Sequence, residues 1–88
     1  MNTAQIEANE IYGLMPKSYN RGTYYPVQYK GSNIKITLKR SPKGLFLHVL
    51  KPCTSILRDP DGNEISRRPD FRHYRIELFN IEAKWHEV

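Results

Sequence analysis

The sequence predicts a mainly β, α+β fold, with a short N-terminal helix packed on a small antiparallel sheet of five or six strands. Three observations lead there. Prolines at positions 16, 26, 42, 52, 60 and 69 break the 88-residue chain, most of them eight to ten residues apart. Breakers at that spacing between short apolar runs favour strands over long helices. Residues 33–40 alternate cleanly, with Ile34, Ile36 and Leu38 of one parity and Lys35, Thr37 and Lys39 of the other, the period of a half-buried strand. Helical spacing near the N-terminus supplies one short helix. The length suits a single domain, residues 1–88, with a modest core; six Tyr, three Phe and one Trp help to fill it.

Residues 3–14 are the helix. Asn2 or Thr3 can cap its first amides, and Ala4, Ala8, Ile11, Tyr12 and Met15 share one side. Glu7 and Glu10 lie early, where the helix dipole favours negative charge, and Gly13 and Pro16 end the segment. Residues 17–23 are polar and read as a loop. Tyr24 to Tyr29 follows as a strand which Pro26, lacking an amide donor, confines to a sheet edge. Gly31-Ser32 turns the chain into the strand from Asn33 to Arg40. Ser41-Pro42-Lys43-Gly44 has Pro second and Gly fourth, the order of a type I turn, and Leu45 to Lys51 returns until Pro52.

The turn length sets the register of that hairpin. Arg40 faces Leu45, and the pairs continue as Lys39–Phe46, Leu38–Leu47, Thr37–His48, Ile36–Val49 and Lys35–Leu50. Leu38, Leu47, Ile36 and Val49 therefore make a core face. Lys39, Phe46, Thr37, His48, Lys35 and Leu50 make a second face of mixed cationic, aromatic and imidazole character. Two fates are open for it: a binding face, or a face that the helix covers, burying Phe46 and Leu50 with lysines snorkelling at the rim.

Strands at 55–58 and 63–67 flank a tight turn at Asp59-Pro60-Asp61-Gly62, and Arg67-Arg68-Pro69-Asp70 reads as a linker. The last segment has two periodicities. Phe71, Tyr74, Leu78, Ile81 and Trp85 fit a helical seam, whereas Tyr74, Ile76 and Leu78, then Ile81, Ala83 and Trp85, fit a strand with a bulge at Phe79-Asn80. The helix would leave Ile76, Phe79 and Ala83 on its polar side, so the bulged strand is preferred.

Charge is the main functional signal. Residues 11–58 carry nine Lys and Arg and no acidic residue, within a net charge of +5. Such a one-signed stretch attracts and steers polyanions. The leading expectation is a non-enzymatic binding module for nucleic acid or a nucleic-acid-bound protein. Its contact residues are Lys30, Lys35, Lys39, Arg40 and Lys43, with Tyr24, Tyr25 and Phe46 as stacking groups. An acidic protein surface answers the same charge. The second expectation is accordingly a protein–protein inhibitor or adaptor, of the kind phages and mobile elements direct against host machinery such as a CRISPR effector. A small metal-independent ribonuclease built on His48, His73, Glu77 and Arg72 or Arg75 is third. His73 and Glu77 lie about 13 Å apart along one strand face, so that reading needs a partner from another strand.

Other chemistries find little footing. Lys43-Gly44 opens like the signature octamer of RNA-recognition motifs, but Leu45 and Leu47 stand where that motif stacks bases. The Asp59–Asn63 turn lacks the bidentate Glu of a calcium loop. Cys53, His48, His73 and His86 show no paired metal-ligand spacing, and no cofactor is implied. The longest strongly apolar run, Leu45 to Leu50, is six residues, against about 20 for a membrane helix. Met1 to Leu14 lacks a cationic start followed by an apolar run, so no signal peptide is expected there, and the single cysteine allows no internal disulfide. The expected setting is cytoplasmic, without membrane association.

Overall fold

In the computed structural model, which describes residues 2–88, the Ser41–Gly44 turn and the pairs around it match the expected register residue for residue, from Arg40 opposite Leu45 to Lys35 opposite Leu50. The hairpin belongs to one antiparallel sheet of five strands in chain order: β1 (Tyr25–Tyr29), β2 (Ser32–Ser41), β3 (Gly44–Arg58), β4 (Glu64–Glu77) and β5 (His86–Glu87). A single helix, α1 (Thr3–Tyr12), precedes them. The fold is the mainly β, α+β arrangement that the sequence predicts.

Helix α1 starts because Asn2 caps it, its side-chain oxygen accepting from the Gln5 amide at 2.8 Å. It ends at Tyr12, two residues earlier than the sequence suggests, and Gly13 caps it, its amide still bonding to Asn9 O. Ala8 and Ile11 are fully buried against Ile34, Ile36, Leu38, Leu47 and Val49, and Ala4, Tyr12 and Met15 pack at the margin. The helix thus covers the apolar face of the sheet. The alternative, in which it buries the Lys39–Phe46 face, is excluded.

Strand β1 begins at Tyr25 rather than Tyr24 and is an edge, so the missing amide of Pro26 is tolerated. The first hairpin turn is Lys30-Gly31 rather than Gly31-Ser32. Both residues have positive φ, 49° and 82°, the signature of a type I′ turn.

Two further differences concern strand length. The sequence places a strand end at Pro52 and a linker at 67–70, yet β3 continues to Arg58 and β4 already runs from Glu64. Proline ends a strand only where the ladder needs its amide. Strand β2 accompanies β3 no further than Leu50, and β5 meets β4 only at Tyr74 and Arg75. Pro52 and Pro69 therefore lie in a two-stranded ribbon with free edges. The ribbon gives the molecule its long axis, 46 Å against 27 and 26 Å.

The C-terminal segment is not one bulged strand. Strand β4 stops at Glu77, Phe79 takes a left-handed conformation (φ 62°) and β5 folds back onto β4. The reversal is held by the start of the helix. Buried Gln5 donates to Asn80 O at 2.7 Å and accepts from the Phe79 amide at 3.2 Å, while Asn2 donates to Ile81 O. Ala83 and Trp85 then pack on the core, and Ile81 is exposed.

The two faces make different demands on side chains. Leu47→Ala should cost about 2–5 kcal/mol, because it opens a cavity among Ile36, Leu38 and Ile76. Exposed Lys39→Ala should change stability by no more than about 0.5 kcal/mol. Urea melts of the two variants check this, and equal losses would mean that the faces are misassigned.

Candidate functional site

Alternation along β2, β3 and β4 builds a second face with no helix over it. Its central row is Thr37, His48, Arg75 and His86, with Lys39–Phe46–Glu77 on one side and Lys35–Leu50–His73 on the other. Each row alternates with a core row, so the residues that bury the apolar side also fix this one.

Three cations on this face rest over aromatic rings. Lys39 Nζ lies 5.8 Å from the centroid of Tyr24, Lys35 Nζ 5.1 Å from Phe71, and the Arg75 guanidinium 5.6 Å from Phe46. A ring positions a cation without neutralising it. Among the described residues the one ion pair is Arg67–Glu64, on the ribbon, so Lys35, Lys39, Arg40, Lys43 and Arg75 have no carboxylate partner. A groove of about 490 Å³ opens beside the Ser41–Gly44 turn, lined by four cations, Lys39, Arg40, Lys43 and Arg75, together with Phe46 and His48. No acidic side chain lines it.

The eight expected contact residues divide accordingly. Lys39, Arg40, Lys43 and Phe46 meet at the groove; Lys35 lies on the same face, and half-buried Tyr24 stacks under Lys39. Lys30 sits at the opposite end of β2, in the Lys30-Gly31 turn over Tyr29, and does not join them. Tyr25 points its hydroxyl at the Asn20 amide, 2.7 Å away, and secures the 17–23 loop. Desolvation raises the Tyr24 pKa, which keeps its hydroxyl protonated.

Two groups outside that set are central, His48 and His73. Strand β3 places His48 opposite Arg75, and the diagonal neighbour His73 brings its Nε2 to 2.7 Å from His48 Nδ1. The rings are 5.0 Å apart at 43°. Burial, then the charges of Lys39, His73 and Arg75, pushes the His48 pKa down to about 4, and burial with Lys39 and Arg75 lowers that of His73. Both imidazoles are therefore neutral at pH 7, one donating to the other. Thr37, directly opposite His48, is fully buried and its hydroxyl has no hydrogen-bond partner. Glu77 is engaged by the Asn80 side chain at 3.1 Å, and Arg72 pairs with Lys51 on the other face.

Comparisons with protein-family models, with curated proteins and with solved structures find no match to this chain. Among the described residues no helix is long and apolar enough to cross a membrane, and no group of three or more His, Cys, Asp or Glu is placed to hold a metal ion.

The His48 environment makes stability depend on pH. In the unfolded chain its imidazole takes up a proton near pH 6.5, whereas in the folded chain it does so only near pH 4. Between these values the unfolded state binds more protons, so stability is complete above about pH 6.5 and is lost as pH falls toward 4. Wild-type protein should lose on the order of 2 kcal/mol across this window, and His48→Gln clearly less. Urea midpoints at pH 7 and pH 4.5 measure the difference; identical losses would remove His48 as its source.

Proposed function

We propose that this protein is a non-enzymatic binding module that engages nucleic acid, or a protein bound to nucleic acid, through the open face of its sheet. The observation that carries the reading is the groove at the Ser41–Gly44 turn, where Lys39, Arg40, Lys43 and Arg75 converge without a carboxylate to neutralise them. Phosphates spaced along a polymer match several unpaired cations better than an isolated monoanion does. Phe46 and Phe71 add ring surface beside the cations, the combination by which single strands are held.

Binding should therefore be strongly salt-dependent. Neutralising about four phosphates gives a slope of log K against log salt of roughly −3.6 on duplex DNA and roughly −2.8 on a single strand. Lys39→Gln and Lys43→Gln should each make the slope shallower by about one contact. Fluorescence titrations from low to physiological salt test this, and absence of binding at low salt would discard the nucleic-acid reading.

The contact between His48 and His73 supports the non-enzymatic part. In-line cleavage of RNA needs an acid and a base on opposite sides of one phosphorus. Here the two imidazoles direct nitrogens at each other across 2.7 Å. Labelled RNA should remain intact in the presence of the protein and absence of metal; cleavage lost in His73→Gln would overturn the assignment.

One observation favours a protein partner. The ribbon exposes Leu57 and Ile65 at 59% and 61%, and its charges are nearly balanced, Arg58, Arg67 and Arg68 against Asp59, Asp61, Glu64 and Asp70. Such a surface suits an inhibitor or adaptor that carries its cationic groove to a nucleoprotein. Affinity capture with and without nuclease separates the readings: a defined protein retained after nuclease supports the adaptor, and its loss supports nucleic acid as the direct partner.

A further inference from the structure

We propose that the groove at the Ser41–Gly44 turn, lined by His48 of the His48–His73 pair, is a proton-coupled phosphate site, which takes up one proton as the anion enters. The proposal deepens the nucleic-acid reading by giving its binding face a regulator, and it rests on the same face.

The geometry of the pair comes first. His48 Nδ1 and His73 Nε2 share a 2.7 Å contact, so one of these nitrogens carries the hydrogen and the other accepts it. A single added proton goes to an outward-facing nitrogen of the pair and leaves the contact in place. A second would put hydrogens on both inner nitrogens and break it. The pair is thus built to change charge by one without rearranging.

Its surroundings come second. The charged and titratable groups facing it are Lys35 and Lys39 from β2, Arg75 and Glu77 from β4, His86 from β5 and Tyr24 ahead of β1. Helix α1 lies on the other face and contributes none. The single carboxylate, Glu77, is held by Asn80. Cations therefore dominate, and together with burial they keep His48 neutral down to about pH 4. An anion between Lys39 and Arg75 offsets the charges that oppose protonation, and proton and anion then favour each other equally, as linkage requires. The Thr37 hydroxyl, opposite His48 in the register, is fully buried and without a partner, an unmet polar demand next to the imidazole that lines the groove. A tetrahedral oxyanion suits the site, because the Arg75 guanidinium can present two N–H groups to it.

Calorimetry of the full chain in two buffers of different ionisation enthalpy counts the protons taken up. A short thymidine oligonucleotide and inorganic sulfate are the probes, since neither changes charge between pH 5 and 8. Near pH 6 each should bind with uptake of about half a proton or more, and oligonucleotide affinity should rise about tenfold from pH 7.5 to 5.5. The double variant His48→Gln/His73→Gln should abolish the uptake, while Lys43→Gln weakens binding at every pH and leaves the proton count unchanged. If the double variant fails to fold, NMR titration of the wild-type imidazoles answers the same question, because sulfate must raise the pKa of the pair. Zero uptake, or uptake unchanged in the double variant, overturns the proposal. Oligonucleotide binding without uptake leaves the nucleic-acid reading standing and removes the proton coupling. Sulfate binding with uptake but no oligonucleotide binding does the reverse.

Discussion

The arrangement depends on one constraint, the register of the β2–β3 hairpin. Ser41 faces Gly44 across Pro42-Lys43, and each later pair follows from that closure. Gly44 is required there, since its φ of 142° suits no other residue and a Cβ would stand 2.8 Å from the Glu77 carboxylate. A slip by one residue would send Ile36, Leu38, Leu47 and Val49 to the open side and bring lysines under the helix. The same register sets Thr37 opposite His48 and, through β4, Arg75 beyond it. Core and groove are two consequences of one turn. A ten-residue helix covers only one side of this sheet, so the other side is left to solvent or to a partner.

What the sequence revealed follows from how local each determinant is. The β2–β3 register was legible because a proline-glycine turn and strict alternation lie within 20 residues. The buried side of α1 was legible for the same reason. Pro52 misled, because a proline ends a strand only if both neighbours need its amide, and the absence of β2 beyond Leu50 is a property of the assembled sheet. The reversal after Glu77 was hidden as well, since Gln5 holds it from 75 residues away. Once β4 was broken into a linker and a separate strand, the partnership of His48 with His73 and Arg75 could not be seen. It requires the β3–β4 register, and the four residues recognised at the groove are those that the first hairpin alone brings together.

Charge is segregated along the molecule. The ribbon beyond Pro52 carries nearly equal numbers of acids and bases, whereas the sheet end at the Ser41–Gly44 turn presents unpaired cations. A 46 Å long axis with one positive end orients an approaching polyanion toward the groove and away from the ribbon. A free two-stranded ribbon is marginal in water; this one persists because β3 and β4 continue without interruption into the packed half of the sheet.

The imidazole pair sits where stability alone would place apolar side chains. Thr37 and His48 are buried on the open face; one has an unpartnered hydroxyl and the other is a base surrounded by positive charge. Valine and leucine at those positions would remove an unmet hydrogen bond and an acid-labile group, and an 88-residue domain has little stability to spare. Departures from local consistency of this kind concentrate where a protein binds or reacts. The neighbouring cations point the same way, because each is held over a ring and none is paired with an acid, although Glu77 stands in the row beside them. An ion pair would have stabilised the surface as well and cancelled its field. A cation over a ring keeps its charge, and the imidazole pair, buried His48 with half-buried His73, lies beside the same cations.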